Sequence, residues 1–310
     1  MKTETDLSPQ PSLPRGEGEP ETPILAPPRE VVAQAVGGDP GATSPVWAKP
    51  WMRLRGLPRR ILPALALLVA LLAIWQWYAS QPDIDPQLLP TPLAVWSALL
   101  AQRALLWHHT LVTLWETLVG FFWAFVTGVV AAVAIDFAPW LRRALYPLLV
   151  ASQTIPIIMI APLLVLWFGY GLVSKSIVVT LICFFAITVA LADGLRSTDP
   201  ELVKLYRTFG VGRWRIFWSV RLPGALPQLF TGIRIAITYS VVGAIFGEYV
   251  GASAGLGWYM EVKQHSFATT GVMAAIAVTA ALSIALFLLT AVIERVALPW
   301  YYAEGRASAA

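Results

Sequence analysis

The sequence predicts an all-α integral membrane protein with six transmembrane helices. Apolar residues make up 57% of the 310 and charged residues 13%, about half the charged share usual in soluble domains. The charges are also segregated, which leaves apolar runs of about twenty residues, the length that crosses a hydrocarbon core. Backbone amides cannot stay unpaired in lipid, so each run is expected to be a helix.

Taken in order, the first fifty residues contain ten prolines, several acids and no apolar stretch. That composition predicts a disordered cytoplasmic tail over 1–58 rather than a secretory signal. The membrane domain is expected over 59–302, with spans near 61–79, 110–135, 145–168, 176–192, 228–250 and 270–293, and a short cytoplasmic tail at 303–310. Residues 80–92 (SQPDIDPQLLPTP) are a proline-broken loop. Residues 93–107 are amphipathic at helical spacing, and are expected along the membrane interface or on the second span. The single cysteine, Cys183, lies in an apolar run and is expected to be a packing residue.

Lysine and arginine set the orientation. With the N-terminus in the cytoplasm, the inside flanks hold Arg53, Arg55, Arg59, Arg60, Arg142, Arg143, Arg295, Arg306 and the cluster at 193–228. The outside holds only Arg103, Lys175 and Lys263. Both termini are therefore expected inside, and the formal net charge of +4 reads as a positive-inside signal rather than a nucleic-acid surface. Trp75, Trp77, Trp107, Trp140, Trp258 and Trp300 fall near span ends, as interfacial tryptophans do.

The segment 193–228 is the largest polar interruption in the apolar region, and carries Arg196, Lys204, Arg207, Arg213, Arg215 and Arg221. Asp199-Pro200-Glu201 has the make-up of a helix start, with proline in the first turn and acids at the positive dipole end. Gly210 and Gly212 break the helical pattern, predicting two short helices joined by a turn, and Pro223 and Pro227 are expected to end it. A loop of this kind serves either as a surface that lies on lipid headgroups or as an interface for a soluble partner.

Gly210, nine residues, Val220, one residue and Leu222-Pro223 resemble the conserved cytoplasmic loop of ABC importer permeases. QTIPIIMIAPLLVLWFGYG at 153–171, Gly232-Ile233-Arg234 and Gly247-Glu248-Tyr249 resemble the subfamily for nitrate, sulfonate, taurine, thiamine-pyrimidine and riboflavin uptake. The likeness extends over about residues 60–300. It implies a type I ABC importer permease fold, a second permease copy in a homodimer, cytoplasmic ABC ATPase subunits and an extracytoplasmic substrate-binding protein. It also implies that Glu201, Lys204, Tyr206, Phe209, Gly210, Leu222 and Pro223 form the ATPase-coupling element. One departure is that Lys204-Leu205-Tyr206 stand where the family has Glu-Ala-Ala, so the acidic contact is missing or comes from Glu201.

Within the spans, Gln153, Arg234, Tyr239 and Glu248 are the candidates for the translocation pathway. Arg234 can instead snorkel to the cytoplasmic surface, and Glu248 can pair with Lys263 or line the entry. Glu116 and Asp136 are expected at the interfaces. Gly243, Gly247, Gly251 and Gly255 recur at four-residue intervals, which suits close helix packing, a permease–permease contact or a pore-lining face. No span carries a run of carboxylates or histidines suited to a proton relay, which weakens a secondary-transporter reading.

Apparent catalytic motifs carry little weight. Gly251-Ala252-Ser253-Ala254-Gly255 matches G-x-S-x-G but lacks a strand-turn-helix setting. Ser174 replaces a required glycine in the near P-loop at 169–176, and adjacent His108 and His109 do not share a helix face. No catalysis by this chain, no cofactor and no metal are expected. The aromatic spans, with Arg234 as candidate cation, favour an aromatic, weakly charged solute. The segment GEYVGASAGLGWYM most resembles permeases for thiamine pyrimidine precursors and riboflavin, with sulfonate, taurine or nitrate as the alternative.

Overall fold

The computed structural model describes residues 57–301; the expected tails at 1–58 and 303–310 lie outside them, except that Leu57 and Pro58 are already helical. The chain divides into two compact units, 1–65 and 66–310. Of the first, only the start of helix α1 (Leu57–Ala79) is described, and all the other elements belong to the second.

Helix α1 carries an apolar, exposed surface, including Leu67, Leu68, Val69 and Leu71, as a lipid-facing span does. Thr91 caps α2 (Pro92–Ala101) by accepting the Ala94 N–H at 3.2 Å, with Pro92 in the first turn. α3 (Arg103–Phe137) follows almost at once, so the amphipathic segment expected at 93–107 is a short helix plus the first turn of a span. Among the described residues, five helices are long and apolar enough to cross a membrane, and six crossings result if one bent pair counts as a span.

That pair occupies the place of the expected third span. α4 (Pro139–Ser152) and α5 (Ile157–Phe168) meet at 99°, so 145–168 is not one straight helix but a broken span or a re-entrant loop. Pro156 stands at the break: it lacks an N–H for the ladder and holds Ile155 away from the helical region. Gly169, at φ +78°, ends α5.

α6 (Leu172–Arg196) is the central helix. Val179, Cys183, Ile187, Leu191 and Leu195 recur every fourth residue and are fully buried. It lies between two helices that offer small side chains: α3 with Gly120, Ala124, Gly128 and Ala132, and a later span with Gly232, Ala236, Gly243 and Gly247. Thr180 Oγ1 donates to the Gly120 carbonyl at 3.1 Å, and Thr188 Oγ1 reaches the Gly128 carbonyl at 3.3 Å. A Cβ at Gly232 would lie 2.9 Å from the Ala186 carbonyl oxygen, so the backbones approach as closely as small-residue packing permits.

After α6 come α7 (Pro200–Thr208), α8 (Arg213–Ile216) and a single π-type turn, Phe217–Arg221. The turn runs directly into α9 (Leu222–Gly251). Pro223 and Pro227 therefore do not end the helical structure, contrary to the sequence expectation. The Leu222 N–H bonds five residues back to Phe217 O. That wider turn, placed just before Pro223, accommodates the missing proline donor. α10 (Leu256–His265) and α11 (Thr269–Ala297) complete the chain.

Candidate functional site

The 193–228 segment is built around a sharp turn. Asp199 Oδ1 accepts the Glu201 N–H at 2.8 Å and caps α7. Gly210, at φ +73°, reverses the chain after α7, and its N–H bonds to Arg207 O at 2.9 Å. A residue with a side chain is strained at that φ.

The helical period divides α7 into two faces. Pro200, Val203, Lys204 and Arg207 line a pocket of about 320 Å³ with Phe137, Thr198, Arg213, Ile216, Phe217 and Arg221. On the opposite face Leu202, Leu205 and Phe209 are exposed, Phe209 at 76%, and Tyr206 is half-buried. Lys204 and Phe209 therefore point to different surroundings. Arg221 lines the same pocket as Lys204 but is already engaged: its Nη1 and Nη2 lie 2.6 and 2.7 Å from the two oxygens of Asp136, and Nη2 donates to Leu195 O at 2.8 Å. This fork ties the ends of α3 and α6 to the root of α9, and it gives Asp136, at the end of α3, an ion-pair partner. Leu222 and Pro223 follow it directly as the first residues of α9.

A cleft of about 990 Å³ lies among α4, α5, α6 and α9. Gln153 and Tyr239 line it, with Ser152, Asp193, Gln228 and Thr231 as further polar groups and Phe184, Phe185 and Phe246 as aromatic ones. Arg234 and Glu248 are not among its lining residues. Arg234 Nη2 sits 2.7 Å from Glu294 Oε2 on α11, an ion pair between spans.

Glu248 belongs to a buried polar cluster at the other end of α9. Thr113 Oγ1 donates to its Oε1 at 2.6 Å, and the Gly257 N–H donates to Oε2 at 2.6 Å. Thr113 Oγ1 also accepts the Leu256 N–H at 2.8 Å, and His109 Nδ1 accepts the Gly255 N–H at 3.1 Å. These bonds anchor the start of α10 to α3. Gly255, at φ +117°, leaves room for the Glu248 carboxylate. Glu248 thus does not pair with Lys263, whose Nζ stands 5.4 Å from the Tyr259 ring centroid. Tyr259 donates to Gln102 Oε1 at 2.8 Å, and burial raises its hydroxyl pKa above the usual phenol range.

Sequence alone puts Glu116 and Lys175 near the membrane surface and does not pair them. They form a buried ion pair at 2.5 Å between α3 and α6. The available signal is an acid inside a long apolar run, which must find a partner. Gly243 and Gly247 face α6 at Val179 and Lys175, and Gly251 faces the Tyr170 ring, all within this chain.

Residues 124–297 match the family described as the binding-protein-dependent transport system inner membrane component. The chain belongs to that family. A probable ABC transporter permease protein of Haemophilus influenzae is 40% identical, aligned over 74% of this chain and 93% of its own length. The formylaminopyrimidine transport permease protein ThiX of Halalkalibacterium halodurans is 38% identical over 77% of this chain and 95% of its own. The riboflavin transport system permease protein RibX of Chloroflexus aurantiacus is 36% identical over 80% and 94%. Among solved structures, the inward-facing MetNI methionine ABC transporter superposes with a TM-score of 0.57 at 22% identity, covering 63% of this chain and 97% of that one. The fold is that of a type I ABC importer permease. This permease is a multi-pass inner-membrane transport subunit, and its family works with an ATPase and a substrate-binding protein.

Proposed function

We propose that this permease carries a vitamin or vitamin precursor of the riboflavin or formylaminopyrimidine type, as a homodimer driven by ATPase subunits that dock on 193–228 from the cytoplasm. The observation that carries the coupling role is the apolar edge of α7: Leu202, Leu205 and Phe209 are exposed on a short helix outside the spans. An apolar edge next to so many basic residues is suited to a groove on a soluble partner. Gly210 turns the chain, Leu222-Pro223 starts the fifth span, Tyr206 and Phe209 fill the groove, and Glu201 supplies the acid that Lys204 replaces. Closure of the ATPases would then move the root of α9 through Arg221 and its partners.

Support for the solute class comes from the names of ThiX and RibX and from the cleft, whose aromatic and amide side chains suit a flat heteroaromatic ring. Gln153 and Tyr239 are its proposed contacts. Arg234 and Glu248 act on the pathway through the helices they join, and Gly243, Gly247 and Gly251 let α9 pack closely against its neighbours.

The test uses proteoliposomes holding the permease, its genomically adjacent ATPase and binding protein, with labelled riboflavin, formylaminopyrimidine and taurine offered separately. ATP-dependent accumulation of one of the first two is expected, with loss of both ATPase retention and uptake in Phe209→Asp. Accumulation of taurine alone would move the solute to the sulfonate class. Uptake on a pH gradient without the ATPase would replace the reading with a secondary transporter.

A further inference from the structure

The pocket behind α7 has a chemistry that ATPase docking on the opposite face leaves unused. Its floor is apolar, from Phe137, Val203, Ile216 and Phe217, and no carboxylate lines it. Lys204, Arg207 and Arg213 converge on it, and among the described residues none of the three has a carboxylate within ion-pair distance. The fourth cation, Arg221, is already neutralised by Asp136. Three such charges on an apolar floor repel one another, and a bound anion relieves that repulsion.

The surroundings identify the kind of anion. Phe137 is the last residue of a helix long and apolar enough to cross a membrane, so the pocket lies at the end of a candidate span. Trp214 and Trp218 are exposed beside it and cluster with Phe137 and Phe217, their ring centroids within 5.8 Å of a neighbour. Exposed tryptophans at a span end are interfacial anchors, and basic residues there attract acidic lipids. Arg213 also stacks 5.7 Å over the Phe137 ring, which holds its guanidinium at the rim.

We propose that this pocket binds the phosphate headgroup of an anionic phospholipid, with Lys204, Arg207 and Arg213 as ligands and the aromatic floor against the glycerol and upper acyl chain. The site rests on the reading that places this loop at the inner membrane surface. Lipid held there would set the position of α7, and with it the edge offered to the ATPase.

Native mass spectrometry of the full-length permease released from mixed phosphatidylcholine and phosphatidylglycerol nanodiscs tests the site. The wild-type chain is expected to retain phosphatidylglycerol in preference to phosphatidylcholine. At about fivefold per basic residue near the surface, the K204Q/R207Q/R213Q protein should retain it about a hundredfold less. R215Q, exposed and outside the pocket, should match wild type. Should the triple variant not fold, R207Q alone decides, with about a fivefold loss expected. Equal retention by wild type and the pocket variants overturns the site, as does an equal loss in R215Q, which would mean a diffuse basic surface. Displacement of the lipid by millimolar inorganic phosphate would reassign the pocket to a soluble anion. A triple variant that keeps its lipid but loses the co-expressed ATPase would assign it to the ATPase instead. Because lipid retention is read on the permease alone, failure of the ATPase to bind wild type would sink the coupling role without touching this result.

Discussion

Lys175 Nζ lies 2.5 Å from Glu116 Oε1, and both side chains are buried where α6 crosses α3. Two opposite charges out of water hold each other by Coulomb attraction but gain little over an apolar pair of the same shape. Removing one partner leaves the other without its direct counter-charge, although Glu248 stands close to both. Glu116→Gln and Lys175→Met are each expected to cost about 3–5 kcal/mol, and the double variant much less than their sum. Thermal unfolding of the four proteins in one detergent gives the cycle. Additive losses would mean that the two groups do not act as a pair.

Glu248 presents a second dependency, on neutral donors as well as on the neighbouring charges of Glu116 and Lys175. Its carboxylate accepts the Gly257 N–H and the Thr113 hydroxyl, and the chain at Gly255 passes beside it in a left-handed conformation. A Cβ at Gly257 would lie 2.9 Å from Glu248 Cβ and 3.0 Å from its Oε2. Gly255→Ala and Gly257→Ala should therefore loosen the start of α10, and Glu248→Ala should do so by leaving buried donors unpaired, at about 1–3 kcal/mol. Limited proteolysis within 252–268 reads the loosening directly. Cleavage rates equal to wild type in all three would show that α10 is anchored elsewhere.

Arg234 and Glu294 join α9 to α11, with Nη2 2.7 Å from Oε2 and 3.0 Å from Oε1. Arg234→Gln leaves the nearly buried acid without this cation and should lower the melting temperature more than Glu294→Gln/Arg234→Gln does. If the single variant melts like wild type yet changes which solute accumulates, Arg234 meets the solute rather than the neighbouring span.

The legible parts of this molecule follow from apolar length, and the illegible parts from pairing over distance. Runs such as 110–135 and 270–293 show their helices because lipid permits little else. The bend at Pro156 is harder to read, since Pro162 lies in the same apolar run and stays inside α5. Which proline breaks a span depends on whether neighbouring helices can take up the freed carbonyl. Glu116 reads as an interfacial acid until Lys175, 59 residues later, is folded against it. The same holds for Asp136 and Arg221, and for Glu248 and the glycines of 255–257. On α7 the apolar and basic positions are visible in the sequence, but their separation onto two faces needs the helix bounds.

Gly210 and Gly212 look interchangeable in the sequence, and the structure distinguishes them. Both would place a Cβ in open space, but only Gly210 has a positive φ, +73°; Gly212 sits at −66°. Gly212→Ala should therefore match wild type in stability and ATPase retention. Gly210→Ala should cost about 1–2 kcal/mol for a left-handed alanine. Gly210→Asn should fall between them, because asparagine tolerates that region better. The penalty is local to the turn between α7 and α8, so it should appear first as weakened ATPase retention and only then as a lower melting temperature. Equal retention by the two alanine variants would mean that the α7–α8 turn does not set how the exposed edge of α7 is presented.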